Sequence, residues 1–512
     1  MGREELIIQE RLKKLESLRM DGINPYPQVF EVKDYSQDLQ VKHKSLKAGA
    51  KAKSKAVIAG RLMSIRDFGK ITFGVLKDKE GAIQIALQAG ETPDKERDFF
   101  KKYIDSGDII GIEGTIWRTE RGELSVVVKQ ITLLTKSILP LPEKWHGLQD
   151  KEERYRKRYL DLIMNEDVKK VFITREKIIS SIRKLLKEKE FVEVETPVLQ
   201  SMYGGASATP FTTHLNALDI DLYLSISPEL YLKRLVVGGI DKVFTICKNF
   251  RNEGIDYQHN PEFTMMEYYC AYKDYNFHIE FTEELFNRIR KELKLPETIE
   301  YRGKKISLKT PFKRITFKEL ILKETGIDID KAKHNLQRNY LTKFQLLKKA
   351  IEERNLKEVN ITECHHYGAL LDELYKRVAR PNVIQPTFLT HYPVEMIALA
   401  KRNESDSSKI NSVQLIIDGA EIIKSYDELN DPLDQEARLK EQQALLNKGD
   451  ESAMPLDEDF ITALKYGMPP TAGYGMGIDR LTMILTGQES LRDVILFPFM
   501  KPENKSESKN KK

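Results

Sequence analysis

The pattern of hydrophobic and polar residues changes along the chain from a helical to a strand-like period. Over residues 4–20, apolar side chains recur at near-helical spacing among charges, which predicts an amphipathic helix. From 56 to 134, short β-branched runs are separated by turn signals, and they begin near residues 56, 71, 82, 109 and 124. Five short strands at this spacing predict a small closed β-barrel.

The barrel is predicted to be of the OB type, and the prolines at 140–142 end it. Helical spacing returns over 155–189, and a mixed pattern follows to residue 498. The sequence therefore predicts an α+β protein in four parts. These are an N-terminal helix and basic linker over 1–50, an OB-fold β-barrel over 51–138, a larger domain over 139–500 with a helical insertion within about 280–380, and a disordered tail over 501–512.

Composition narrows the class of protein. A hydrophobic content of 40% and a charged content of 31% are typical of globular proteins, and no apolar run approaches the roughly 18 residues that span a bilayer. The first residues lack the layout of a secretory signal. Three widely spaced cysteines argue against a disulfide framework and predict a reducing, cytoplasmic location. Cys364, although followed by two histidines, has no second cysteine pair that would suggest zinc.

Charge is distributed unevenly although the net charge is only +5. No acid occurs between Asp38 and Asp67, whereas six lysines crowd residues 42–55. Such a run can follow a phosphate backbone, or it can be a solvated basic linker. The sequence leaves both interpretations open.

Two arginines lie in segments that suit phosphate binding. Arg251 belongs to the run Phe-Arg-Asn-Glu-Gly over 250–254, which continues through His-Asn-Pro-Glu-Phe-Thr-Met-Met-Glu over 259–267. Arg480 ends the glycine-rich run over 473–480. A guanidinium binds phosphate bidentately and keeps its charge, so this pair predicts a grip on a triphosphate from two sides.

These two segments resemble motifs two and three of class II aminoacyl-tRNA synthetases, and residues 191–197 resemble motif one. The surrounding sequence, from about 4 to 500, is similar to that of lysyl-tRNA synthetases in particular. The resemblance implies a catalytic domain built on an antiparallel sheet with flanking helices, acting as a homodimer. It also implies that lysine and ATP give lysyl-adenylate, from which lysine passes to the 3′ end of tRNA.

The same resemblance assigns residues to ATP. Arg251 contacts the α-phosphate and the substrate carboxylate, and Arg480 binds the γ-phosphate, so both are named as catalytic. Phe263 stacks on adenine. The remaining nucleotide contacts are Glu253, His259 and Glu421, and Glu421 also holds the catalytic Mg²⁺.

Lysine as a substrate requires carboxylates and a phenol around its ammonium group. Glu229, Tyr269 and Glu428 meet that need at the positions where the family keeps its lysine-binding groups. The substrate set implied by the resemblance is completed by Glu267, Lys424, Tyr426 and Gly475.

In the barrel, four residues resemble the anticodon-binding domain of the same subclass. Phe73 offers a stacking face for an unpaired base, and Arg66, Gln84 and Glu123 can read base edges. Spacing alone would instead make Phe73 a residue of the barrel core.

Several positions depart from the family pattern. Gln414 stands where the family usually has a second carboxylate for Mg²⁺, which makes it a second, weaker candidate metal ligand, and Lys424 stands in place of an asparagine. Thr209 and Ser225 replace arginines, and 396–398 lacks a serine-proline. In one explanation, Lys424 supplies part of the charge of a magnesium ion. In the other, the chain is a paralogue with altered or lost lysine activation: a ligase for another acceptor or amino acid, or an RNA-binding protein.

Overall fold

The computed structural model describes residues 2–142, 148, 150–330, 342–451 and 453–503. Within this range the chain forms two compact units, Met1–Gln149 and Asp150–Lys512. Most of the tail predicted to be disordered, residues 504–512, lies outside the described residues. No helix in the described ranges is long and apolar enough to cross a membrane.

The first unit is a closed five-stranded barrel with strand order β1-β2-β3-β5-β4, which confirms the predicted OB architecture. Its strands are β1 (Lys51–Asp67), β2 (Ile71–Lys77), β3 (Ala82–Gln88), β4 (Ile109–Arg118) and β5 (Leu124–Thr135). Its helices are α1 (Arg3–Met20), α2 (Ser36–Lys42) and α3 (Asp94–Tyr103). Inward-facing aliphatic residues such as Leu62, Ile85 and Ile112 fill the barrel, and Leu18 and Leu39 of the helices pack against them.

The basic segment before the barrel is not simply a linker. Lys42 ends helix α2, and Lys51, Lys53 and Lys55 lie on strand β1. The sequence did not predict this helix end and strand start, because a lysine-rich segment with few apolar residues has no clear hydrophobic period.

The second unit is built on an eight-stranded sheet with order β14-β15-β16-β17-β18-β11-β10-β6. All neighbouring pairs are antiparallel except β14–β15 and β10–β6. The sheet strands are β6 (Val192–Glu193), β10 (Lys242–Phe250), β11 (Glu262–Ala271), β14 (Lys313–Thr316), β15 (Thr387–Thr390), β16 (Ser412–Ile417), β17 (Ala420–Asp427) and β18 (Thr471–Gly477). Two small sheets contain β7 (Leu199–Gln200), β8 (Thr212–Leu215), β9 (Ile220–Leu224), β12 (Thr298–Tyr301) and β13 (Lys304–Ser307).

Helices cover both faces of this sheet. They are α4 (Lys151–Arg156), α5 (Arg158–Met164), α6 (Glu166–Glu188), α7 (Glu229–Val237), α8 (Tyr275–Glu292), α9 (Phe317–Thr325), α10 (Lys343–Glu353), α11 (Tyr367–Leu374), α12 (Pro432–Leu446), α13 (Glu458–Lys465), α14 (Ile478–Leu485) and α15 (Leu491–Val494). Met266 and Tyr268 of β11 pack with α6, α8 and α14, whereas Tyr269 packs on the opposite side with α7. Because side chains alternate along a strand, Glu267 faces the same side as Tyr269.

The helix predicted over 155–189 is confirmed over Glu166–Glu188, but the part before it is divided between two shorter helices, α4 and α5. The backbone leaves helical geometry at Lys157 and Asn165. Between them Arg158 is buried, pairs with Asp161 at 2.8 Å and donates to the carbonyl oxygen of Arg492 at 2.7 Å. These long-range contacts outweigh local helix propensity.

The helical insertion predicted within about 280–380 is also wrong in part. Helix α8 belongs to the main core, and β14 is a strand of the main sheet, parallel to β15. In sequence, the hairpin of β12 and β13 lies between α8 and β14. The β-branched strand residues of this segment are few, and the many lysines and glutamates around them favour a helical interpretation.

Candidate active site

A cavity of about 520 Å³ lies over the main sheet, on the face that carries Glu267 and Tyr269. Every residue that the sequence assigns to ATP, substrate or metal lines this cavity. They are Glu229, Arg251, Glu253, His259, Phe263, Glu267, Tyr269, Gln414, Glu421, Lys424, Tyr426, Glu428, Gly475 and Arg480. The fold therefore brings together positions that are far apart in sequence, while the role of each residue remains a prediction.

The two predicted phosphate-binding arginines enter the cavity from different elements. Arg251 follows β10, and its guanidinium lies over the ring of Phe263 with 5.0 Å to the centroid. Arg480 lies on α14 and donates to the carbonyl oxygen of Glu421 at 3.0 Å. Nε of Arg251 is buried without a hydrogen-bond partner among the described residues, so it is available to an anion.

His259 orients Arg480. Its Nδ1 lies 2.8 Å from Asp256, and Nη2 of Arg480 lies 3.2 Å from its Nε2. Arg480 can only donate, so Nε2 accepts and the proton of the neutral ring is on Nδ1, which donates to Asp256. This arrangement fixes the guanidinium relative to the loop that follows β10.

Strand register explains why glycine stands at 473. Glu267 and Tyr269 of β11 face Gly475 and Gly473 of β18. A Cβ at position 473 would lie 2.5 Å from Cε1 of Tyr269 and would overlap Oε1 of Glu428. The glycine-rich strand thus leaves the space that these side chains occupy.

A buried ammonium group already lies among the predicted lysine-binding acids. Nζ of Lys233 is 2.6 Å from Oε1 of Glu229 and also contacts Glu428. The side chain of Lys233 is 0% exposed, and Tyr426 donates its hydroxyl to Glu229 at 2.8 Å. Burial alone would lower the pKa of Lys233, but the charges of the two glutamates outweigh it and the pKa is raised.

The predicted substrate residues did not include Lys233. Its spacing of four from Glu229 on α7 was a usable signal, because such residues are neighbours on one helical face. Two of the three predicted carboxylates are therefore already paired with a cation of the chain itself.

Glu267 differs from the other two acids. It is 5% exposed, and its polar partners among the described residues are the hydroxyls of Ser227 at 3.1 Å and Tyr269 at 3.4 Å. Burial, and then the charge of Glu229, raises the pKa of Glu267 to about 8. Without a paired cation, Glu267 is the carboxylate best placed to receive one from a ligand.

A family model described as tRNA synthetases class II (D, K and N) matches residues 150–501, and an OB-fold nucleic acid binding domain matches 56–134. The chain belongs to the class II tRNA synthetases. Lysine--tRNA ligase 2 of Methanosarcina mazei is 45% identical over 96% of this chain and 94% of its own length. The lysine--tRNA ligase of Nostoc punctiforme is 45% identical over 98% of this chain and 88% of its own length. That of Porphyromonas gingivalis is 46% identical over 98% of this chain and 86% of its own length.

In this synthetase, the hydrogen bonds of Gln414 make it a poor candidate for the second metal ligand. Its Oε1 accepts hydrogen bonds from Tyr375, at 3.1 Å, and from Tyr392. A neutral amide oxygen occupied by two hydroxyls is a poor Mg²⁺ ligand. Across the sheet its partner is Lys424, a further cation lining the cavity. In the described ranges, no cluster of three or more His, Cys, Asp or Glu side chains could hold a metal, whereas Glu421 keeps a carboxylate at the cavity wall.

The predicted RNA-binding residues of the synthetase share one outer surface of the barrel. Arg66 faces Phe73 across β1 and β2, and Gln84 faces Val75 across β2 and β3. Glu123, just before β5, is exposed like Arg66. Phe73 is partly exposed, lies 6.2 Å from the ring of Phe68 and is absent from the barrel core, so the alternative of a core residue is wrong.

The cysteine–histidine run has local structural contacts. Sγ of Cys364 donates to the carbonyl oxygen of Asn360 at 3.4 Å. Nδ1 of His366 accepts from the backbone N–H of Ala369 at 3.3 Å and so caps α11.

Proposed function

We propose that this chain is a lysine–tRNA ligase that activates lysine with ATP and transfers it to the 3′ end of tRNA. The observation that carries the proposal is Glu267, a buried carboxylate with no paired cation among the described residues, in the same cavity as Arg251 and Arg480. A cationic amino acid and a triphosphate are the ligands that such a cavity fits. The full-length similarity to proteins named lysine–tRNA ligase supports the same substrates.

In the first step, a carboxylate oxygen of lysine attacks the α-phosphorus of ATP. The bond from that phosphorus to the bridging oxygen breaks, and pyrophosphate leaves with the electron pair. No protein nucleophile is required, because positioning and charge neutralisation lower the barrier. Arg251 would hold the α-phosphate and the carboxylate, and Arg480 the γ-phosphate.

Magnesium is the cofactor we propose. Glu421 would hold it together with ATP phosphates, since Mg²⁺ often binds one carboxylate plus substrate phosphate oxygens. When bound, the ion neutralises phosphate charge. We do not include Gln414 among the proposed Mg²⁺ ligands.

We propose that the ammonium of the lysine side chain binds Glu267 and Tyr269. Glu229 and Glu428 are held by Lys233, so their role is to shape the polar end of the cavity. Gly475, opposite Glu267, leaves room for the substrate.

For the second step, we propose that the outer barrel surface bearing Arg66, Phe73, Gln84 and Glu123 binds unpaired bases of tRNA. Aromatic stacking and base-edge contacts are the usual way in which proteins recognise single-stranded RNA. A homodimer and a cytoplasmic location are also proposed, on the family resemblance and on three free cysteines.

The decisive experiment is ATP–pyrophosphate exchange with each of the twenty amino acids, followed by aminoacylation of tRNA. Exchange with lysine alone, together with charging of tRNA, is expected. Exchange with a different amino acid would contradict the substrate assignment. Binding of tRNA without any exchange would favour a non-enzymatic paralogue.

A further inference from the structure

Arg380 lies where two cavities meet. It begins a short 3₁₀ turn, Arg380–Asn382, soon after α11. It lines both the substrate cavity and a second cleft of about 540 Å³, which also contains Arg302, Lys304 and Arg377. The two cavities share His259, so the cleft adjoins the position of Arg480.

The guanidinium of Arg380 is poorly satisfied by the protein. Among the described residues, no carboxylate lies within 4.0 Å of it, and its buried Nε has no hydrogen-bond partner. The ring of Tyr375 lies 5.9 Å from it. Leaving a buried donor unsatisfied is unfavourable, and an anionic ligand would remove that penalty.

Arg380 adds to a concentration of positive charge. Burial is the main reason that the pKa of Arg480 is lowered; Glu421 opposes the effect, and the nearby charges of Arg380 and Arg251 add to it. Glu421 offsets only part of the repulsion among these three guanidinium groups, and an anionic ligand would offset more of it. The geometry therefore favours a polyanionic ligand that all three arginines can contact.

The surroundings of Gln414 also favour binding of an anion near Arg380. Tyr375, whose ring lies beside Arg380, donates its hydroxyl to Gln414. Tyr375 thus links the neutral amide of Gln414 to the guanidinium of Arg380. Positive charge is supplied there by the chain itself.

We propose that Arg380 is a third triphosphate-binding arginine, which contacts the β- and γ-phosphates of ATP and then the leaving pyrophosphate. The proposal rests on the proposed function in taking ATP as the substrate. It deepens that function by adding a residue outside the three motifs. A bidentate fork is suited to this role because two phosphate oxygens can be held in fixed orientation.

The test uses Arg380→Gln and Arg380→Lys, with Arg377→Gln as the matched control. Arg377 lies on the same segment and loses the same charge, but it pairs with Glu373 at 3.0 Å and lines only the outer cleft. In ATP–pyrophosphate exchange, Arg380→Gln should raise the KM of ATP and of pyrophosphate about 10- to 100-fold. The KM of lysine should change less than about twofold, Arg380→Lys should recover part of the loss, and Arg377→Gln should match the wild type.

Calorimetric binding of ATP without amino acid gives a second readout that does not depend on lysine activation. Weaker ATP binding by Arg380→Gln, with an unchanged melting temperature, would support the proposal. Unchanged KM values for ATP and pyrophosphate would overturn it, and so would an equal rise in the KM of lysine. Absence of lysine-dependent exchange in the wild type would instead overturn the proposed function, which keeps the two failures distinct.

Discussion

Lys233→Met removes the ammonium group that lies between two buried carboxylates while keeping most of the side-chain volume. Glu229 is 5% exposed and Glu428 is 1% exposed, so neither can recover the lost contact from water. Removing one partner of a buried ion pair typically costs about 3–5 kcal/mol. We expect a loss of that size in the free energy of unfolding at pH 7.5.

The loss should depend on pH. Burial raises the pKa of Glu428 and the charge of Lys233 opposes this rise, so removing Lys233 raises the pKa further. A carboxyl whose pKa is higher in the folded than in the unfolded state destabilises the fold increasingly as pH rises above the unfolded value. The penalty in Lys233→Met should therefore be smaller at pH 5.5 than at pH 7.5. Lys233 itself stays charged over this range, because its pKa is raised.

The measurement is urea unfolding followed by circular dichroism at both pH values, for the wild type, Lys233→Met, Glu428→Gln and the double variant. Because the two groups touch, their effects should be strongly non-additive, and the double variant should be more stable than Lys233→Met. A Lys233→Met protein within about 1 kcal/mol of the wild type at pH 7.5 would refute the reasoning. Additive effects in the cycle would refute the direct pairing.

Three further predictions concern activity. Lysine should bind about fivefold more tightly at pH 8 than at pH 7, because binding a cation favours ionised Glu267, whose pKa is about 8; calorimetry should show this slope lost in Glu267→Gln. Phe73→Ala should weaken tRNA aminoacylation by about 1–3 kcal/mol and leave lysyl-adenylate formation unchanged, and an equal loss in both steps would argue against base stacking. Gly473→Ala should abolish lysine-dependent exchange because the new methyl overlaps Glu428, whereas wild-type exchange rates would show that the pocket can relax.

The sequence predicted those features that depend on neighbouring residues. The barrel strands follow from short β-branched runs and turns, and all five were observed. The cavity residues within 251–267 and 475–480 were predicted because they fall in two contiguous motifs, and Glu229 and those within 414–428 because their positions match the resembled family.

Features that depend on distant partners were not predicted. Arg158 breaks a helical segment through contacts with residues 492–496, which local periodicity cannot reveal. Gln414 could have been a free ligand until Tyr375 and Tyr392, from two other segments, were seen to occupy its oxygen. The pairing of Lys233 with Glu428 likewise joins a helix to the end of a strand far along the chain.

Charge separation across the cavity connects the two proposed substrates. Acids predominate at one end, where Lys233 offsets only part of the charge of Glu229, Glu267 and Glu428. Cations predominate around Arg480, where Arg251 and Arg380 lie together with the acid Glu421. A bound lysine oriented with its side-chain ammonium toward the acids presents its carboxylate to the cationic end, where the triphosphate would lie. An acidic amino acid would instead place its side-chain carboxylate beside Glu267, where like charges repel whenever Glu267 is ionised. We therefore expect the same arrangement to select lysine and to align its carboxylate with the α-phosphate.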